Sequence, residues 1–514
     1  MQDKHKKVLR YAVVVAALAF ASKSYWMKKP DAEKNPAPAA AAVNVDTSRT
    51  LGSLKFKPCS LAQGAESLSA FCSTLQVPED HSKPNGRKIT LAISWFPASK
   101  QAEDDPIFML AGGPGQGARA SYPGIASAFS EAHKTRNIIL LDQRGTGDSN
   151  PLKCEDSKGD SAVVEGDDYS LQAAADFAKQ CAASYASKVD VSQFSTADAI
   201  IDLDLVRKAI GASKINLIGI SYGARVAQQY AKQFPNSTRT VTIDGIAPMD
   251  LVLGQDHAKN LEASLDLQFA RCSKDKACLE KMGNPREQLN QLLAKLEKGP
   301  VPVQYRDAIT GEWKQGEFSY GHIATLTRML SYAPQAAALL PLQFSEANKG
   351  HYESLMALSE MVNHDVSGMI MHGMQLSVMC SEDADDLVID PADQNRLLGN
   401  DLVEVLKAQC SVWPHKKRPA DFRTPLTGNV PVLILSGEFD PVTPPRYGEQ
   451  VAKHLPDSKH IIAKGSGHNV LPVGCMPKLF AKFLETADAK KLDSSCMDKL
   501  TYASMFTGYY GSEP

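Results

Sequence analysis

The amino-acid sequence predicts an α/β fold: a mostly parallel central sheet, interrupted by an inserted helical lid. Three observations predict it. Short apolar runs that end at glycine-rich or polar turns occur at Pro106–Leu110, Asn137–Leu141, Lys214–Ile218, Val241–Ile243, Val430–Leu435 and His460–Ala463, and such runs read as buried strands. A segment with apolar residues at helical spacing, Val226, Ala227, Tyr230, Ala231 and Phe234, follows directly on one of them. Between about residues 250 and 420 the strand–helix rhythm stops and helical periodicity takes over, as at Arg286–Leu296 and Tyr320–Leu330.

The chain begins with an address. Lys4, Lys6, Lys7 and Arg10 precede the apolar run Tyr11–Ala21, which ends in Ala19-Phe20-Ala21. A basic stretch, a short apolar stretch and small residues make a secretory signal over 1–21. The run is too short to span a bilayer comfortably. An uncleaved N-terminal anchor is the alternative. Residues 22–50, rich in Pro and Ala around 36–42, read as a flexible linker. The core then occupies 51–250, the lid 251–424, and the second part of the core 425–514. Hydrophobic content of 43% and charge content of 22% suit a globular enzyme. The net charge of −2 gives no support for a nucleic-acid partner.

The first strand of the chemistry, Pro106–Leu110, leads into Ala111-Gly112-Gly113-Pro114-Gly115-Gln116-Gly117. Small residues let a backbone N–H approach a substrate carbonyl, so Gly113 is expected to supply one oxyanion donor. A phosphate-binding loop is excluded, because no Lys-Ser/Thr follows at the required spacing. Asn137–Leu141 ends at Asp142-Gln143-Arg144-Gly145, whose charged residues come too early for an acid–base role and are expected to brace the glycine loop.

Lys214–Ile218 then enters Gly219-Ile220-Ser221-Tyr222-Gly223, and a helix follows. Strand, G-x-S-x-G and helix together make a nucleophile elbow, with Ser221 raised above the sheet and the Tyr222 N–H as the second oxyanion donor. A serine needs a base and an orienting acid. Val430–Leu435 is followed by Glu438-Phe439-Asp440-Pro441, and His460–Ala463 by Gly465-Ser466-Gly467-His468. The order Ser221, Asp440, His468 is the α/β-hydrolase order. Should Asp440 not hold the imidazole, Glu438 is the next carboxylate.

Gly112-Gly113-Pro114-Gly115, Asp142-Gln143-Arg144-Gly145-x-Gly147-x-Ser149, Gly219-x-Ser221-Tyr222-Gly223, Asp244-Gly245 and Asp440-Pro-Val-Thr443-Pro resemble the prolyl/tripeptidyl aminopeptidase family of α/β-hydrolases, above all its larger secreted branch. Cys72 to Asp80 with Pro84-x-Gly86 is similar to that branch's N-terminal strands. Ala111 stands where the smaller prolyl aminopeptidases carry histidine, and Tyr222 where they carry tryptophan. The resemblance implies cleavage of peptides from their free amino end. The residues alone imply an acyl-transfer serine hydrolase.

Recognition of an ammonium group calls for carboxylates. Met379-Cys380-Ser381-Glu382-Asp383-Ala384-Asp385-Asp386 lies in the lid, and Glu382, then Asp383 and Asp386, are the candidates; a solvated acidic loop is the plainer reading. Glu382 leads because a similar Cys-x-acidic patch occurs in the resembled branch. The Met- and Leu-rich stretch Ser367–Leu376 reads as core. The ten cysteines contain no C-x-x-C, so no zinc or thioredoxin site is suggested. Behind a secretory signal they favour disulfides, and short local loops would pair Cys59–Cys72, Cys154–Cys181, Cys272–Cys278, Cys380–Cys410 and Cys475–Cys496.

The expectation is an exported serine exopeptidase, periplasmic or extracellular, acting on peptides with a free N-terminus, without cofactor or metal, and with no membrane contact once the signal is cleaved. Its rivals are a carboxylesterase or lipase with the same triad and a catalytically silent binding module.

Overall fold

The computed structural model describes residues 47–64, 66–154 and 170–512. The expected signal at 1–21 and most of the expected linker lie outside them. No helix among the described residues is long and apolar enough to cross a membrane.

Ten strands form one sheet in the order β1-β2-β3-β4-β6-β5-β7-β8-β11-β12. The first four, β1 (Arg49–Leu51), β2 (Leu54–Gln63), β3 (Glu66–Pro78) and β4 (Lys88–Phe96), pair antiparallel, and β4 pairs antiparallel with β6 (Ile138–Leu141). From β6 through β5 (Ile107–Leu110), β7 (Ile215–Ile220), β8 (Thr238–Asp244) and β11 (Val432–Gly437) to β12 (Ser458–Ala463) every pair is parallel. β5, β6, β7 and β11 are buried at every position. That explains their unbroken apolar runs, since helices cover both faces of a parallel sheet. Arg49 and Thr50 already belong to β1, two residues before the expected start of the core at 51.

Around the sheet lie α1 (Ala118–Ser121), α2 (Leu171–Tyr185), α3 (Thr196–Ala209) and α4 (Tyr222–Gln233). The insertion carries α5 (His257–Lys274), α6 (Lys276–Met282), α7 (Pro285–Leu296), α8 (Tyr320–Ser331), α9 (Pro334–Ala337), α10 (Leu340–Asn348), α11 (Glu353–Ser367), α12 (His372–Glu382) and α13 (Asp401–Cys410). The chain closes with α14 (Pro445–Ala452) and α15 (Met476–Thr486).

Two features correct the expectation of an all-helical lid at 251–424. A hairpin, β9 (Val301–Arg306) and β10 (Trp313–Phe318), interrupts the helices. It turns Val303, Tyr305 and Phe318 inward onto a separate lid core with Leu261, Leu265, Leu292 and Phe344. Much of the last part of the insertion does not belong to that core, although Leu397 does. Met374, Leu376, Val378, Cys410 and Trp413 pack into the main sheet core instead, so Met374 and Leu376 of the Met- and Leu-rich stretch are core as expected, while Met369 is exposed. Five disulfides join the neighbouring cysteine pairs anticipated from sequence, Cys59–Cys72, Cys154–Cys181, Cys272–Cys278, Cys380–Cys410 and Cys475–Cys496. The fourth ties α12 to α13.

Candidate active site

At the C-terminal end of β7 the backbone turns directly into α4, and Ser221 takes φ 57° and ψ −123° at the turn. A non-glycine residue there is strained by about 1–3 kcal/mol, and the surroundings hold it in place. The Ser221 N–H donates to the Asp244 carbonyl at 2.8 Å, and the Ala224 N–H to the Ser221 carbonyl at 2.8 Å. The flanking glycines are required by close approach. A Cβ on Gly219 would overlap the Gly223 carbonyl, and one on Gly223 would overlap the Leu110 carbonyl at the end of β5.

The glycine loop after β5 lies over this turn: a Cβ on Gly112 would sit 3.0 Å from the Ser221 Cβ. Gly113 follows with φ 106°, a conformation that glycine adopts without strain. The Tyr222 N–H is at the first turn of α4, where helix geometry leaves it without an intrahelical acceptor. The Tyr222 side chain points the other way and is buried, its hydroxyl 2.6 Å from Thr196 Oγ1. Asp142 braces the glycine loop: its carboxylate accepts the Arg119 N–H at 2.9 Å and the Asp148 N–H at 3.0 Å. Arg144 braces a different place. It is fully buried, forks onto Asp202 at 2.7 and 2.8 Å, and donates to the carbonyls of Glu79 and Gln193.

The loops after β11 and β12 meet. His468 Nδ1 lies 2.7 Å from Asp440 Oδ2, and both side chains are buried. The remaining acceptor sites of Asp440 take the Val442 and Thr443 N–H groups at 2.9 and 2.8 Å and the Thr443 hydroxyl at 2.8 Å. Burial alone would raise the Asp440 pKa, but His468 and these donors hold it below the usual carboxylate value. Burial likewise opposes protonation of His468; the charge and hydrogen bond of Asp440, with the charge of Asp244, outweigh it and raise the imidazole above its ordinary value. With the Nδ1 proton committed to Asp440, Nε2 is left as the basic nitrogen. Glu438 is not the imidazole's partner: it accepts the Gly465 N–H at 2.7 Å and the Tyr502 hydroxyl at 3.2 Å.

Three positioning contacts escape a reading of the sequence. Asp244, fully buried at the end of β8, accepts the Val470 and Leu471 N–H groups at 2.8–2.9 Å, just beyond His468. Gly245 next to it passes so close that a Cβ would lie 2.7 Å from the imidazole Cε1. From the lid, the Tyr332 carbonyl accepts the His468 N–H at 2.9 Å, and the Tyr332 ring stands edge-on to the imidazole at 5.3 Å. Asp244-Gly245 and Thr443 are visible as motif residues; Tyr332 has no local signal.

The acidic patch of the lid is packed among arginines, not a solvated loop. Asp383 is fully buried against Arg225 at 2.9 Å and Arg423 at 3.1 Å. Asp386 pairs with Arg418 at 2.7 Å and Arg423 at 2.8 Å. Glu382 Oε1 accepts the Thr196 N–H at 2.7 Å, and Oε2 lies 3.6 Å from Arg225. Burial pushes the Glu382 pKa up to about 7, against the pull of Arg225. Three guanidiniums already answer these carboxylates, so Asp383 and Asp386 have no free charge to offer an ammonium. The patch fastens α12 to α4 and to the segment around 418–423.

Comparison with known proteins agrees with this architecture. The chain is 25% identical to serine protease Hip1 of Mycobacterium tuberculosis over 447 residues, covering 81% of this chain and 85% of that protein. It is 26% identical to the tripeptidyl aminopeptidase of Streptomyces lividans over 188 residues, 34% of this chain and 35% of that one. It is also 25% identical over 430 residues to a Mycobacterium tuberculosis protein named carboxylesterase B, covering 77% and 80%. Residues 105–474 match the family model described as alpha/beta hydrolase fold, and the chain belongs to that family.

Proposed function

We propose that this protein is an exported serine exopeptidase that releases residues from the amino ends of peptides through an acyl-enzyme. The observations that carry the chemistry are the 2.7 Å contact between His468 Nδ1 and Asp440 and a serine held at positive φ on the elbow, both tied to Asp244-Gly245. In this reading His468 Nε2 takes the Ser221 proton and Ser221 attacks the carbonyl. The Tyr222 and Gly113 N–H groups stabilise the oxyanion. His468 then protonates the leaving amine, and water releases the acyl group by the same steps in reverse. Peptides as substrates are supported by the similarity to proteins named serine protease and tripeptidyl aminopeptidase. Five disulfides support an oxidising compartment and hence export.

A second reading, a carboxylesterase, is favoured by one observation: the lid's acidic patch is neutralised by Arg225, Arg418 and Arg423 and leaves the ammonium site unassigned. The test pairs each free-amine peptide with its acetylated form and adds a nitrophenyl ester. Under the exopeptidase reading acetylation lowers kcat/KM by about a hundredfold. Equal rates on both peptides, with faster ester cleavage, select the esterase. Failure of Ser221 to label with a fluorophosphonate removes both.

A further inference from the structure

Arg328, in α8 of the lid, is half-buried and donates to His257 Nδ1 at 2.8 Å. His257 is the first residue of α5. To accept at Nδ1 it must be neutral, and burial, then Arg328, then His468 hold its pKa well below the ordinary imidazole value. Arg328 also stands one helical turn before Tyr332, which continues the helix with φ −63° and ψ −30° and touches His468 by both its carbonyl and its ring. A turn advances about 5.4 Å, so Arg328 follows the same face of α8 away from the imidazole.

The carboxylates around this point are already engaged. Asp440 is occupied by His468, Thr443 and Val442, and Asp244 by Val470 and Leu471. Among the described residues no carboxylate comes within ion-pairing distance of Arg328. A guanidinium that keeps one neutral hydrogen-bond partner retains most of its five donors for something else.

The side of the site is set by the chemistry. The group that protonates the leaving amine must face the leaving fragment, so residues disposed outward from His468 meet that fragment and not the acyl part. We propose that Arg328, steadied by His257, is a carboxylate-binding subsite for the leaving fragment, so that the preferred substrates carry a carboxylate just beyond the scissile bond. Two sources supply the same chemistry: an acidic side chain in the first leaving residues, or the C-terminal carboxylate of a short peptide. The inference rests on the serine-hydrolase reading above, and deepens its substrate class.

The test measures kcat/KM on one free-amine peptide in four versions, with Glu or Gln at the first leaving position and with a free or amidated C-terminus. Wild type is expected to favour carboxylate over neutral versions by about tenfold or more, and Arg328→Gln to bring that ratio close to one. The Glu/Gln pair and the acid/amide pair separate the two sources. Arg328→Lys, which keeps the charge without the fork, is expected to give an intermediate ratio. His257→Gln should lower the ratio through the lost support. A wild-type ratio near one overturns the proposal, as does a ratio that survives Arg328→Gln in protein with an unchanged melting temperature. Loss on all four versions together, with fluorophosphonate labelling intact, means that Arg328 only supports the lid, and also overturns it. Absence of labelling in wild type fails the serine reading itself, and acetylated peptides cleaved as fast as their free-amine forms, with the carboxylate preference kept, fail only the exopeptidase reading.

Discussion

Asp244 receives the Val470 N–H at 2.9 Å on each carboxylate oxygen, and so fixes the loop two residues beyond His468. Its own carbonyl meanwhile holds the Ser221 N–H at 2.8 Å. One residue thus sets the serine and the histidine loop in the same frame. Asp244→Ala would leave the buried N–H groups of Val470 and Leu471 without acceptors, at about 1–3 kcal/mol each. Thermal unfolding should show a marked loss of stability, and kcat should fall because the loop that carries His468 is no longer held. Asp244→Asn keeps one acceptor oxygen and should lose less of both. An Asp244→Ala variant with wild-type stability would contradict this role.

Ser221→Ala should abolish hydrolysis and fluorophosphonate labelling, with a loss of about 10⁴-fold or more. It removes one oxygen and leaves Gly219 and Gly223, whose close approach shapes the elbow. The melting temperature should therefore stay near that of wild type. Undiminished hydrolysis by the pure variant would move the nucleophile elsewhere.

The acid limb of the pH profile should report His468. Only the neutral imidazole accepts the serine proton, so kcat/KM falls as pH drops through its pKa. Burial lowers that pKa, but Asp440 and Asp244 raise it further, to a net value above the ordinary 6.5. The limb is expected above pH 6.5 in the free enzyme. Asp440→Asn removes both the charge and the correct tautomer, so the limb should move down and the rate fall about 10³- to 10⁴-fold. A profile flat from pH 5 to 8 would exclude His468 as the base.

Thr443→Val tests the support beneath the acid. The hydroxyl donates to Asp440 Oδ2 at 2.8 Å and lies 3.2 Å from His468 Nδ1. A hydrogen bond to a charged group contributes about 1.5–3 kcal/mol. Losing it frees Asp440 to rotate, and kcat should drop about 10- to 100-fold with KM little changed. Thr443→Ser, which keeps the hydroxyl, should recover most of the rate. A wild-type rate in Thr443→Val with a loss in Thr443→Ser would show that the methyl group's packing matters and the hydroxyl does not.

What the sequence discloses here follows from how local each signal is. Ser221 and Asp440 can be placed because each follows a run that is buried throughout, His468 because it follows the shorter Ile461–Ala463 run, and all three because their order along the chain suits one fold. The β9–β10 hairpin is harder to see: Val301, Val303 and Tyr305 alternate with exposed Pro302, Gln304 and Arg306, but the partner strand β10 buries only Phe318, so no second alternating run marks a hairpin. The acidic patch misleads for a related reason. Nothing near Glu382 announces that Arg225, more than 150 residues earlier, is buried beneath it. Asp244 is legible as a motif residue, yet its task depends on a loop over 220 residues later.

Glu382 provides the last prediction, because two roles for it give opposite results. Its Oε1 accepts the Thr196 N–H at 2.7 Å, and the Thr196 hydroxyl lies 2.6 Å from the Tyr222 hydroxyl, so the carboxyl supports the residue next to Ser221. It is 1% exposed, and burial raises its pKa to about 7. A raised carboxyl pKa means that the folded state penalises the charged form. The stability tied to Glu382 is therefore full at low pH and is lost as pH rises through about 7. Glu382→Gln mimics the protonated form. It should flatten this part of the stability-against-pH curve, which thermal unfolding at pH 5 and pH 8 would show. If Glu382 is a support, the variant should change rates on a free-amine peptide and a neutral ester by the same factor, and the penalty for acetylating the peptide should be preserved. If it binds the substrate ammonium, that penalty should vanish while ester hydrolysis persists. The packing of the carboxyl against Thr196 and Arg225 leads us to expect the first result.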